Sequence, residues 1–287
     1  MRSTVIVTGA SGFIGGRIAY YYGSLGYKVL APLRTGSRLL LPNQNIVITS
    51  YEHMGDFLHG KTSLAIIHCA ALTTANSNDE NLIYTTNIRL AELVADWVKT
   101  YQPTILIYLS TVSIYGEIRE SFLRVDTAPN APNSYGLSKL TSEILLTDRC
   151  ISQNIPISIV RLPGTVGYGS HGNIISKIIS TILSYKIDSK AKKLLLSNPD
   201  RLFNNIVAID SLLDYIYLLI REAGSKPRTL TTLLGSTMPI PFKDVVDYIA
   251  SSFAVRNLES FSWTGLESSS FIIDPSHAIL HGFTATS

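Results

Sequence analysis

This chain has little of several things. Only two cysteines occur in 287 residues, Cys69 and Cys150, far apart and in no CxxC pair. That excludes a disulfide framework and a cysteine-rich zinc site, and it fits reduced thiols in a cytoplasmic protein. The six histidines show no metal-ligand spacing, His53 and His59 being the nearest approach to a pair, so no metal site is expected. Charged residues make up only 16% and balance to a net +3, and no basic run interleaves with aromatics. Nucleic acid is therefore not an expected partner. No apolar run reaches the roughly 20 residues of a membrane span. The short apolar stretch after Met1 breaks into glycines too early for a signal peptide. What remains is a chain with 46% hydrophobic residues, enough for a packed core. Its length suits one large α/β domain or two closely joined lobes.

Short β-branched runs alternate with helical segments through the first half. Thr4–Thr8, Lys28–Leu33, Ile46–Thr49, Leu64–His68, Thr104–Leu109 and Ile157–Arg161 have the pattern of buried strands. Between them the clearest helices are Glu80–Tyr101 and Ser134–Asn154. In the first, Leu82, Leu90, Leu93, Val94, Trp97 and Val98 form a mainly apolar stripe. Such alternation implies right-handed crossovers and a doubly wound parallel sheet with helices on both faces. After Arg161 the pattern loosens. Helices are expected at Ile174–Tyr185, Asp210–Glu222 and Phe242–Phe253, with a strand at Thr229–Leu234. No internal repeat or low-complexity linker appears. A dinucleotide-binding part of residues 1–162 plus about 205–230, interleaved with a smaller substrate lobe of 163–204 and 231–287, fits better than a tethered second domain.

The first strand runs into TGASGFIGG, with Gly9, Gly12 and Gly15 spaced GxxGxxG. At a first strand-to-helix junction such glycines permit a tight turn and close approach to a pyrophosphate. The helix N-terminus then offers N–H donors and a favourable dipole. The end of the second strand selects the cofactor: an acid there would bind the ribose hydroxyls of NAD. This chain has Leu33 and then Arg34, with Ser37 and Arg38 close behind. A guanidinium beside a serine suits a 2′-phosphate, so NADP(H) is favoured and NAD(H) stays open.

The strand Thr104–Leu109 leads into STVSIYG, placing the hydroxyls of Ser110 and Thr111 at a strand carboxyl end, where ligands bind. In NSYGLSKL, Tyr135 and Lys139 stand one helical turn apart. A lysine charge beside a phenol favours tyrosinate, and the phenol can then exchange a proton with a carbonyl or alcohol.

With these motifs in order, the sequence resembles the extended short-chain dehydrogenase/reductases, the family of nucleotide-sugar epimerases, dehydratases and reductases. TGASGFIG, HCAA (residues 68–71), STVSIYG and YGLSK carry the resemblance, with RLPGTVGYG (161–169), FNNIVAIDSL (203–212) and LHGFTATS at the end. It covers nearly the whole chain and implies that the chain is complete. By alignment, Thr111 is the catalytic hydroxyl, Tyr135 the acid/base, and Lys139 its partner, which also contacts the nicotinamide ribose. The resemblance implies cofactor contacts from Gly9, Ser11, Gly12, Phe13, Ile14 and Gly15, and from Ala70, Ala71 and Leu72 after the fourth strand. Asn87 in the next helix and Pro163 after the sixth strand complete that set. Substrate-side candidates are Thr73, Thr74 and Asn173. The family often dimerises through the helices Glu80–Tyr101 and Ser134–Asn154, and their apolar stripes permit a homodimer here.

Departures from the family pattern narrow the chemistry. The Asp–Glu pair of the 4,6-dehydratases and the glutamate of the decarboxylases are replaced by Val112 and Ser113. Gly164 stands where many members hold the substrate phosphate with Asn, while GYGSHGN resembles members that reduce or epimerise 4-keto or 4-hydroxy nucleotide sugars. The expected activity is NADP(H)-dependent 4-keto reduction of a nucleotide sugar. The alternatives are 4-epimerisation, a small carbonyl reductase, and a dinucleotide-binding sensor or scaffold without catalysis.

Overall fold

The computed structural model describes residues 4–57, 64–188, 190–225, 228–255, 260–264 and 270–285. His59 and the last two residues of LHGFTATS lie outside them. Seven strands form the central sheet: Thr4–Thr8 (β1), Lys28–Pro32 (β2), Ile46–Thr49 (β3), Leu64–His68 (β4), Ile105–Thr111 (β5), Ile157–Leu162 (β6) and Thr229–Leu233 (β7). They lie in the order β7-β6-β5-β4-β1-β2-β3, and each neighbouring pair is parallel. Strand order reverses between β1 and β4, opening a crevice at the carboxyl ends of the strands.

The helices are Phe13–Ser24 (α1), Glu80–Tyr101 (α2), Ser134–Ser152 (α3), Ile174–Ile187 (α4), Ile209–Arg221 (α5), Phe242–Ser252 (α6) and Ser276–Leu280 (α7). Because successive strand residues point to opposite faces, each strand feeds two cores. Val5 and Val7 join Ile18 and Tyr22 of α1 and Leu212 and Ile216 of α5. Ile6, between them, joins Val94 and Val98 of α2 and Leu146 of α3. Aliphatic residues on both sides of a strand therefore mark it as a central one.

Polar caps set the ends of the site helices. Asp79 accepts from the Leu82 N–H to start α2, and Asn133 accepts from the Gly136 N–H at 2.8 Å to start α3. α3 stops at Ser152, two residues short of expectation, because Asn154 adopts a left-handed φ of 59°. The stripe on α2 also differs from expectation. Leu82 is 49% exposed, and Ile83 faces the core instead, in register with Asn87, Ala91 and Val94. β5 runs past Leu109, so Ser110 and Thr111 belong to the strand itself.

Beyond β6 the chain forms short pairings. Gly164–Val166 pairs with Ile206–Ala208, and Leu194–Ser197 with Phe261–Thr264. Leu202–Phe203 meets Ile240–Pro241 antiparallel, and Phe122–Leu123 meets Ile272–Ile273. Ile178 and Ile182 of α4, Phe242 and Val246 of α6, and Phe203 and Phe261 build a separate apolar cluster there.

Candidate active site

At the crevice lies a cavity of about 400 Å³, bounded by the turn after β1, the ends of β4, β5 and β6, and the start of α3. The turn fits a pyrophosphate for steric reasons. Gly9 has φ +72°, and a Cβ on it would sit 2.8 Å from the Ala70 nitrogen. A Cβ on Gly15 would collide with the Gly9 carbonyl. Gly12 caps α1 without a side chain, and the first helical bond is Gly16 N–H to the Gly12 carbonyl at 2.9 Å. The first-turn N–H groups are thus free for an anion. Gly9, Gly12, Phe13, Ile14 and Gly15 all line the cavity, whereas Ser11 is exposed beside it.

Thr111 lies at the end of β5, and α3 brings Tyr135 and Lys139 to the same wall. The Thr111 hydroxyl donates to Ser113 Oγ at 3.2 Å and accepts from the Ser113 N–H at 3.1 Å. Tyr135 is held up at about 12 by burial, and its hydrogen bond with Thr111 draws it back toward lower values. Burial also pulls Lys139 down to about 7, against the opposing influence of Cys69 and Glu143. The expected lowering of the Tyr135 pKa by Lys139 is not seen. The lysine instead lays its ammonium over the Tyr108 ring, 4.0 Å from the centroid.

A buried polar layer supports this wall. Thr8 Oγ1 accepts from the Cys69 and Ala70 N–H groups, so its proton goes to His68 Nδ1 at 2.8 Å. His68 is then neutral with its proton on Nε2, and burial, with the Lys139 charge, takes its pKa to about 3. Its ring stacks on Tyr108. Glu143, one turn beyond Lys139, accepts two bonds from Arg161, at 3.2 and 2.8 Å. The same guanidinium donates to the Val125 carbonyl and the Tyr115 hydroxyl.

The remaining predicted residues fall into two groups. Ala71, Thr73, Thr74, Pro163 and Asn173 line the cavity; Ala70, Leu72, Asn87, Arg34 and Ser37 do not. Asn87 is buried and spent on the protein: it accepts from the Leu72 N–H at 2.7 Å and donates to the Leu72 carbonyl and to Ser138 Oγ. It holds the segment after β4 against α3 rather than facing the cavity. Arg34 is exposed in a turn closed by the Ser37 N–H and the Arg34 carbonyl. Asn173 caps α4 by accepting from the Ser176 N–H, and its amide nitrogen donates to the Thr165 carbonyl at 2.9 Å. The sequence reading missed Thr165 and His171, both on the cavity wall. Both lie in the segments RLPGTVGYG and GYGSHGN, but which side chains of those segments reach the cavity is set by the tertiary fold.

The chain belongs to the NAD dependent epimerase/dehydratase family, whose sequence pattern matches residues 5–227, and so to the extended short-chain dehydrogenase/reductases. It is similar to D-erythronate dehydrogenase of Haemophilus influenzae, 24% identical over 230 residues, covering 71% of this chain and 70% of that protein. The chain spans 43% to 70% of the length of the curated relatives it matches. Its fold is similar to that of the Bordetella bronchiseptica enzyme WbmG in complex with NAD and UDP. There the TM-score is 0.79 at 18% identity, with 99% of this chain and 89% of that one covered. UDP-glucose 4-epimerase from Thermotoga maritima, solved with UDP-glucose, gives a TM-score of 0.78 at 17% identity, covering 96% and 91%. The fold is a Rossmann-type parallel α/β fold, and the family is NAD-dependent.

Proposed function

We propose that the protein reduces the 4-keto group of a nucleotide-activated sugar, with NADP(H) as the preferred cofactor. One observation carries the reading: Thr111, Tyr135 and Lys139 line the same cavity as the glycine turn, and no carboxylate lines it among the described residues. When bound, the nicotinamide supplies or takes up a hydride. The turn residues Gly9, Gly12 and Gly15 would hold the pyrophosphate, and Lys139 the ribose. Tyr135 exchanges a proton with the substrate oxygen, and Thr111, backed by Ser113, hydrogen-bonds the same oxygen. Elimination or decarboxylation would need a base where Val112 and Ser113 stand, so the chemistry stays at one carbon.

Arg34 supports the NADP(H) preference. It is exposed at the end of β2, no acidic side chain is paired with it among the described residues, and Leu33 beside it is buried. The substrate side would come from residues 163–204 and 231–287. The test is deuteride transfer. With NADPD and a 4-keto-6-deoxy nucleotide sugar, deuterium should appear at C4 of the product, one NADPD being consumed per turnover. Isomerisation of a 4-hydroxy nucleotide sugar with no net cofactor change and no label uptake would make the enzyme an epimerase and defeat the reading.

A further inference from the structure

Lys139 lines the cavity on a long, flexible stem, so something must fix where its ammonium sits. Glu143, on the next turn of α3, is bonded twice to Arg161 instead. What the ammonium meets is the face of Tyr108, 4.0 Å from the ring centroid. A ring face carries the negative part of the aromatic quadrupole, and its attraction for a cation grows where water is excluded. Lys139 is only 2% exposed, so that condition holds here.

The ring is itself built in from several sides. Tyr108 is fully buried, and its hydroxyl bonds to Ser142 of α3. It faces His68 across the β4–β5 pairing, and the two rings stack 5.3 Å apart at an interplanar angle of 24°. His68 is in turn held by Thr8 of β1 at 2.8 Å. A protonated imidazole here would repel the lysine, but burial takes its pKa to about 3 and keeps it neutral. Ile105, Leu106, Ile107 and Leu109 are the other buried apolar residues of β5, so its one aromatic stands where the lysine lies.

We propose that Tyr108, buttressed by His68, is the positioning residue for Lys139: its ring face holds the ammonium at the cavity wall and keeps it charged for the nicotinamide ribose. This rests on the reading of Lys139 as the ribose contact. The aromatic ring touches neither cofactor nor substrate and acts only through the lysine.

The test changes the electrons of the ring and nearly keeps its shape. Tyr108→Phe, which gives up only the bond to Ser142, is the baseline; mono-, di- and trifluorinated phenylalanine at position 108 then weaken the quadrupole in steps. In ligand-free protein carrying lysine labelled with carbon-13, the Lys139 signal is the one missing from Lys139→Met, and it is titrated with pH. The other titratable groups around it are His68 and Cys69 from β4 and Tyr135 and Glu143 from α3, and the series alters none of them. Over the series the midpoint should fall by about one pH unit and calorimetric NADPH affinity by about tenfold. 2′-Phospho-ADP, which lacks the nicotinamide ribose, should bind every variant alike. A midpoint indifferent to fluorination, NADPH affinity that stays constant or rises, or an equal loss of 2′-phospho-ADP affinity overturns the proposal. If neither NADPH nor NADH binds the wild type, the reading of the site fails instead, and the titration alone decides this one. A stepwise fall of the midpoint then upholds it, and a constant midpoint overturns it.

Discussion

Tyr135 and Lys139 show how one physical term, desolvation, sets a site before any ligand enters. Burial lifts the phenol to about 12 and lowers the amine to about 7, disfavouring the charged form of each. The phenol is therefore held protonated at neutral pH, the form a reductase needs in order to donate to a carbonyl oxygen. Tyr135→Phe removes only that hydroxyl. Turnover should fall by roughly 10²–10⁴-fold, while NADPH affinity and melting temperature stay near wild type. Steady-state rates with a 4-keto nucleotide sugar, alongside a cofactor titration, check this. Wild-type turnover in the variant would remove Tyr135 from the acid/base role, and no turnover in the wild type would favour a dinucleotide-binding sensor. The motif YGLSK was legible at this scale because i and i+4 share a helical face whatever the tertiary context. The direction of the pKa shifts was not, because it depends on how much protein surrounds each group.

At the scale of elements, α3 is the platform that carries Tyr135 and Lys139, and two devices fix it. Asn87 ties the segment after β4 to Ser138 of α3, and Glu143 ties the helix to Arg161 at the end of β6. The second is a buried ion pair, 2.8 Å between Arg161 Nη2 and Glu143 Oε2. Removing one partner leaves a guanidinium buried without its charge complement. Glu143→Gln should cost about 3 kcal/mol of stability by urea unfolding. The combined Glu143→Gln, Arg161→Met protein should lose less than the sum of the two single changes. An additive result would show that the pair does not couple α3 to the sheet. The bounds of α2 were readable to the residue, since Asp79 and the apolar spacing both act locally. Which apolar residue faced inward was not: Leu82 and Ile83 are equivalent in composition, and packing against the sheet chose Ile83. The short pairings beyond β6 were likewise missed, being two to four residues long and joined to partners distant in sequence.

For the whole molecule, cofactor binding draws on the ends of several strands that meet only in the folded state, so ligand and fold are thermodynamically linked. A ligand at about 100 times its Kd adds about 2.7 kcal/mol to stability. NADPH at that concentration should raise the melting temperature by roughly 5 °C. NADH at the same concentration should raise it less, and Arg34→Ala should remove the difference through a tenfold or greater loss of NADPH affinity. Equal shifts from the two cofactors with the wild-type protein would contradict the NADP(H) preference.

By itself the sequence determined the parallel α/β architecture, the glycine turn, and the pairing of a strand-end hydroxyl with a Tyr–Lys helix. Each of these is written in local periodicity or in fixed short spacings, which backbone geometry converts directly into structure. Only the tertiary structure decided that Asn87 is consumed in holding the segment after β4, that Asn173 caps α4, and that the Lys139 ammonium rests on Tyr108. Whether a polar side chain is engaged or free depends on partners brought from elsewhere in the chain, and no local pattern encodes them.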